Sequence, residues 1–242
     1  MTAIDAEGGT SERDWQEWLA RQAWPPLDLD GLTHRTVHVL AAHPDDETLG
    51  VGGLLHRLAG AGADVRLLWA TDGEASHPRS TVDLARDLRR VRGAEARAAL
   101  TALGLPQASR TCLHLPDGSV ARHEGQLVEA LETSVGADDV LLAPFAQDGH
   151  PDHDACGRAA RRVAPAILLE YPVWTWSWAR PGDVRVPWGR ARCIAIDPEA
   201  KRRAMAEYRS QLHPIGPDAA DAAVVPSHAA AYFLRGVEVV FG

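Results

Sequence analysis

The chain is expected to fold as an α/β protein, a Rossmann-like three-layer sandwich with a mainly parallel sheet between helices. Three observations carry that expectation. Short apolar runs rich in β-branched residues recur along the chain, and most are followed by a segment with helical periodicity. Strands that alternate with helices in this way build parallel sheets covered on both faces. Two His-Pro-Asp segments also stand directly after apolar runs, and ligands of such sheets gather beyond the carboxyl ends of the strands.

Taken in order, the opening ten residues are polar and acidic and read as a frayed start. Residues 11–22 read as a short helix with Trp15, Trp18 and Leu19 on one face, ended by Pro25-Pro26, so that residues 1–24 form a tail and strap. Residues 36–42 are the first buried strand and 48–61 the helix after it, although several glycines weaken that helix. A second strand at 65–70 runs into the turn Thr71-Asp72-Gly73-Glu74 and a loop with His77-Pro78. The stripe Leu84, Leu88, Val91, Ala98, Leu103 predicts one helix over 82–103, with Gly104 at its C-terminal cap. Strands follow at 111–115, 140–144 and 167–171, with helices at 127–135 and 153–163. The stretch 171–188 reads as loop. Within it Trp174, Trp176 and Trp178 alternate with polar residues and could share one face, either packed in the core or offered as a platform to an apolar ring face. Residues 192–196 are a late strand, 199–211 a helix, and 237–241 a closing edge strand.

With 242 residues, 45% of them hydrophobic, the chain can bury one sizeable core, and no linker-like boundary divides it, so a single domain over 1–242 is expected. A formal charge of −8 argues against a nucleic-acid partner, which is normally met by a basic stripe. Cys112, Cys156 and Cys193 lie far apart with no Cys-x-x-Cys pair, so neither a disulfide framework nor a thiolate zinc site is expected. The start is neither basic nor apolar, and no apolar run approaches the roughly 20 residues of a membrane span. These features predict a cytoplasmic protein with no membrane span and a small-molecule substrate. A homo-oligomer is left open.

The chemistry concentrates in Ala41-Ala42-His43-Pro44-Asp45-Asp46-Glu47 and in Gly149-His150-Pro151-Asp152-His153-Asp154. A lone His-Pro-Asp is commonly a solvated turn, since proline fixes φ and aspartate bonds nearby backbone. Two copies, each between an apolar run and a helical pattern, read instead as two halves of a metal site. His43, Asp46 and His153 would make a set of two histidines and one carboxylate with an open position. Nitrogen and oxygen donors without thiolate suit a catalytic Zn²⁺, whose bound water has its pKa lowered to about 7. Asp152 could orient a histidine from outside the ligand set, or simply cap a turn.

These two motifs resemble the signatures of the PIG-L or LmbE-like zinc-dependent N-deacetylases. Weaker likenesses run between and after them: Thr71-x-Gly73-Glu74, Arg92-x-x-Glu95 leading to Leu103-Gly104, Leu115-Pro116-Asp117-Gly118, and Lys201 through Tyr208-x-Ser210-Gln211. The resemblance covers roughly residues 37–241. It implies hydrolysis of an N-acetylglucosamine-type amide, with His43, Asp46 and His153 as zinc ligands and Asp45 as general base. It further implies that His150 serves the oxyanion or the leaving amine, and that Arg92 and Asp117 touch sugar hydroxyls. For Arg92 the alternative is a solvated helix face, since the neighbouring residues are also arginine-rich; Glu95 is expected to pair with an arginine. Amide hydrolysis needs an activated water, a stabilised oxyanion and a proton for the leaving nitrogen, which an Asp45 base and a His150 imidazolium could help supply. Gln147-Asp148-Gly149 departs from the mycothiol-pathway branch of the family, which carries tyrosine at the position of Asp148 and has extra length. The departure points to a bacillithiol-type, antibiotic-tailoring or other acetamido-sugar amide. Rival readings are a metal-dependent phosphoesterase, which would gather more carboxylates, and a non-catalytic carbohydrate-binding domain on the same fold.

Overall fold

A computed structural model describes residues 9–242; the first eight residues of the expected frayed start lie outside the described part. The elements run α1 (Glu12–Leu19), α2 (Leu29–Thr33), β1 (Val37–Ala41), α3 (Asp46–Gly60), β2 (Val65–Thr71), α4 (Asp83–Arg86) and α5 (Leu88–Ala102). They continue with β3 (Ser109–Leu115), α6 (Glu124–Ser134), β4 (Val140–Pro144), α7 (Pro151–Ala160), β5 (Ile167–Tyr171) and α8 (Thr175–Trp178). The chain closes with β6 (Ala191–Ala195), α9 (Pro198–Met205), α10 (Arg209–Leu212), α11 (Ser227–Ala230) and β7 (Val237–Phe241).

The seven strands form one sheet in the order β3-β2-β1-β4-β5-β7-β6. β1 to β5 pair in parallel, while β7 runs antiparallel to both β5 and β6. Side chains alternate across the sheet as a strand requires. Val37, Val39 and Ala41 enter one apolar cluster, with α3, α5 and α9, whereas Leu40 and Ala42 enter the opposite one, with α6 and α7. That division makes the three layers. The glycines of α3 serve close packing: a Cβ at Gly50 would collide with the ring of Tyr171.

Several expectations are corrected by the structure. The stripe over 82–103 is two helices, because Asp87 leaves helical geometry at φ −116° and ψ 17°. The 199–211 segment likewise breaks, with Tyr208 at ψ 58°, so that its hydroxyl can reach the core. β7 is an inner strand, and β6 is the edge. The three tryptophans do not share a face, because the segment turns into the short helix α8. Trp176 packs edge-on against Trp15 with ring centroids 5.0 Å apart, and Trp178 Nε1 donates to the Asp148 carbonyl at 2.6 Å. Only Trp174 reaches the motif histidines, its ring centroid 5.2 Å from that of His150. α1 straps onto this region: Trp15 is wholly buried and donates to the Trp176 carbonyl at 2.9 Å, and Glu12 pairs with Arg235.

Candidate active site

From β1 the chain crosses to β2 and β3 on one side, and only later to β4 on the other. β1 and β4 are therefore neighbours whose connections leave in opposite directions, and the crevice beyond their carboxyl ends is the natural ligand position of such a sheet. Both motifs sit there. The first turns sharply out of β1, with Asp45 at φ 154°, a conformation that a non-glycine residue holds only when its surroundings enforce it. The second opens at Gly149, where φ is +93° and a Cβ would press on Trp178; His150 then caps α7 and Pro151 occupies its first turn.

Asp46 sits between the two motifs. Its Oδ2 accepts the His43 amide at 2.7 Å and lies 3.3 Å from His43 Nδ1, and its Oδ1 lies 3.1 Å from His153 Nε2. His150 joins them, so that His43, His150 and His153 each bring a ring nitrogen within 4.8 Å of the others. Each motif histidine is held from behind. His153 Nδ1 faces Asp148 Oδ2 at 2.7 Å, and His43 Nε2 lies 3.3 Å from Asp152 Oδ2 and 3.2 Å from Asp117 Oδ1. Asp152 is in turn fixed by the amides of Gly118 and Val120. Asp152 thus meets a histidine, and that histidine belongs to the other motif. Asp117 also accepts the Ala75 amide at 2.8 Å.

The charge balance suits a cation. Asp45, Asp46, Glu47, Asp148 and Asp152 are all buried here, against one buried guanidinium, Arg92. Burial opposes a proton on either ring, yet the carboxylates outweigh it: His43 is raised well above its ordinary value and His153 up to about 9. His153 Nε2 is buried with no hydrogen-bond partner. Two histidines that surrounding carboxylates hold in the charged form, one with an orphaned nitrogen aimed at Asp46, fit the nitrogen-and-oxygen donor set of a divalent ion, whose charge would replace that of the two ring protons.

Asp45 lines the same crevice but pairs with Arg92 instead of a histidine. Its carboxylate meets Arg92 Nη2 at 2.8 Å, and burial, against the pull of that guanidinium, pushes its pKa up to about 7. Arg92 is buried, not on a solvated face, and also donates to the carbonyls of Gly73 (2.9 Å) and Pro44 (3.0 Å). His150 Nδ1 accepts the Asp152 amide at 3.2 Å, which leaves any ring proton on Nε2. Burial, with His153 and His43 nearby, lowers its pKa to about 3, so the ring is neutral and not the expected imidazolium. Among the described residues Glu95 meets no arginine; it accepts the Ser210 amide and hydroxyl at 2.8 and 2.6 Å.

Three residues that the sequence reading gave no role also matter here. Glu47, wholly buried, accepts from Trp69 Nε1 and Tyr208 Oη and receives the Asp45 amide. Asp148 supports both His153 and the loop after β5. Gln211 lines the crevice with its Oε1 buried and unpartnered. Glu47 closes the first motif and Gln211 the last likeness, but the residue pattern by itself gives neither a role. The fold also assembles a second Asp-His group, from His43, Asp117 and Asp152.

Comparison with known proteins fits this geometry. The model of the GlcNAc-PI de-N-acetylase family, PIG-L, matches residues 38–164. The chain is 31% identical over 180 residues to a 1D-myo-inositol 2-acetamido-2-deoxy-alpha-D-glucopyranoside deacetylase of Kineococcus radiotolerans, covering 71% of this chain and 49% of that one. A Mycobacterium protein of the same name is 31% identical over 160 residues, 56% of this chain and 52% of its own. The chain thus matches about half the length of these relatives. Among solved structures, an N,N'-diacetylchitobiose deacetylase from Pyrococcus horikoshii superposes with a TM-score of 0.58 at 20% identity, over 88% of this chain and 82% of that one. A conserved protein from Thermus thermophilus gives a TM-score of 0.54 at 28% identity, over 73% and 79%. The family match takes in both histidine motifs and the strands that present them: this chain belongs to the GlcNAc-PI de-N-acetylase (PIG-L) family.

Proposed function

We propose that the chain is a zinc-dependent hydrolase that removes an N-acyl group, in the first place acetyl, from an amino-sugar-type small molecule. The observation that carries the reading is the division of labour between adjacent carboxylates. Asp46 lies between His43 and His153, while Asp45, beside it, turns to Arg92 and stays free of the histidines. His43, Asp46 and His153 would hold the ion, which when bound supplies Lewis acidity toward the amide carbonyl and acidifies a water.

The remaining roles belong to the chain. Asp45 takes the proton of the attacking water, and Arg92 fixes the direction from which it does so. His150, neutral and with its proton on Nε2, donates to the oxyanion as the carbonyl carbon becomes tetrahedral. The proton held by Asp45 is then available to the departing amine. Asp117 accepts from a substrate hydroxyl, and its setting beside His43 keeps it ionised for that purpose. Arg92, already committed to three acceptors, acts on substrate through Asp45 and not through hydroxyls.

Among the described residues no helix is long and apolar enough to cross a membrane. Free cysteines support a reducing, cytoplasmic setting. The whole chain acts as one domain in this reading, supported by the contacts that bind α1 to residues 176 and 235. The test joins metal analysis to a panel of N-acetylated sugars screened for free amine, including the inositol-linked compound for which the curated relatives are named. The expected result is one divalent ion per chain, with amine release that a chelator abolishes. Release of phosphate from phosphate esters by metal-loaded protein that frees no amine would overturn the reading in favour of a phosphoesterase.

A further inference from the structure

Among the described residues the crevice shows two compartments that meet at His150 and Trp174. The inner one holds a cavity of about 20 Å³, little more than a water molecule or methyl group needs. The outer one holds about 350 Å³ and is lined by Ala75, Pro78, Asp117, Gly118, Gly149 and Pro151. The lining of the inner compartment is of two kinds. His43, Asp45, Asp46, Arg92, His150 and Gln211 are polar, and Leu49, Val173, Val224, Val225 and Phe233 are apolar.

From this partition we infer that the inner apolar end receives the acyl methyl, and that Val224 and Val225 restrict the enzyme to short acyl groups. The inference rests on the amide-hydrolase reading above. An amide held between His150 and the histidine–carboxylate group must send its two substituents in different directions. A sugar ring cannot enter a space that admits one methyl, so the amine side occupies the outer cavity beside Asp117. The acyl carbon chain is left with the inner end, where an apolar wall matches its chemistry and a polar ring would leave its hydroxyls unpaired.

The apolar wall is buried and anchored. Each of its five apolar residues is buried. The segment that carries the valines is pinned at several points: the Val225 amide donates to the Gln211 carbonyl at 3.0 Å, His77 Nε2 donates to the Ala222 carbonyl at 3.1 Å, and Ser80 donates to Asp221. Each added methylene must therefore displace packed side chains, which in apolar pockets discriminates by roughly 10- to 200-fold.

The experiment measures kcat/KM for N-acetyl-, N-propionyl- and N-butyrylglucosamine with metal-loaded wild-type protein and with the Val224→Ala and Val225→Ala variants. Wild type is expected to prefer acetyl over butyryl by about 100-fold or more, two methylenes' worth of such discrimination. Either alanine variant, checked for metal content and melting temperature, should raise the butyryl-to-acetyl ratio at least ~10-fold, the effect of about one methylene in such a pocket. Wild type that cleaves acetyl and butyryl amides at comparable rates overturns the inference and leaves amide hydrolysis standing, and so does an unchanged ratio in both folded variants. Metal-loaded wild type that cleaves none of the three refutes amide hydrolysis itself, and the acyl compartment with it.

Discussion

Replacing Asp148 with asparagine tests how far the second motif depends on support from behind. The native carboxylate is wholly buried, with Oδ1 accepting the amides of Val173 and Thr175 and the Thr175 hydroxyl, while Oδ2 accepts the Trp174 amide and faces His153 Nδ1. Asparagine keeps the shape and one acceptor oxygen. With that oxygen at the Oδ1 position its three partners are retained, and the new NH₂ confronts the Trp174 N–H and His153 Nδ1. The opposite orientation sets NH₂ against three donors and is worse. One buried N–H thus loses its partner, a cost of about 1–3 kcal/mol. His153 can relieve the other conflict by moving its proton to Nε2, so that Nδ1 accepts from the amide. The nitrogen facing Asp46 then has no lone pair to offer a cation. Metal affinity should fall about 10- to 100-fold, or roughly 1.4–2.7 kcal/mol. Competition against a chromophoric chelator measures that loss. Thermal unfolding of the metal-free proteins reports the structural cost separately, a fall of roughly 2–12 °C for a chain of this size. An Asp148→Asn protein with native metal affinity and native metal-free melting temperature would show that the carboxylate neither sets the tautomer nor braces the loop.

Asp46→Ala should lose the metal, while Asp45→Asn keeps it and drops kcat by about 10²- to 10⁴-fold with KM little changed; the reverse pattern of metal content would exchange their roles. His153→Ala should also lose the metal, and a variant that retained a full complement would separate the two motifs. Arg92→Met leaves Asp45 buried without its partner and frees the Gly73 and Pro44 carbonyls, so about 3–5 kcal/mol of stability should disappear in denaturant titration, and a loss below about 1 kcal/mol would contradict that. Trp15→Ala removes a wholly buried indole from a cluster with Trp18, Trp176 and Trp188 and should cost about 3–5 kcal/mol; an unchanged unfolding midpoint would show that the α1 strap is dispensable to the fold.

Strands β1, β2, β4 and β5 and the helices after β1 and β4 were legible within a residue or a few, because burial on both faces leaves a short continuous apolar run that is a local property of the chain. The two motifs were legible for a similar reason: a His-Pro-Asp turn at the end of such a run can be recognised with no knowledge of its partners. Helix breaks at Asp87 and Tyr208 were not, since an apolar stripe can continue across a break that is imposed by what packs above it. β7 looked like an edge because its own residues do not record that β6 would add outside it. Composition left the tryptophans open between a core and a platform, and the turn into α8 separated them. The supports of the site depend most on tertiary structure. Glu47 meeting Trp69 and Tyr208, Asp148 meeting His153 and the loop after β5, Glu95 meeting Ser210 and Asp152 meeting His43 are pairings whose partners are set by the fold. Local pattern determines what a segment can become on its own. Where a carboxylate ends up, which proton it holds and what it orients depend on burial and on groups brought together across a sheet, and those arise only when the strands have taken their order.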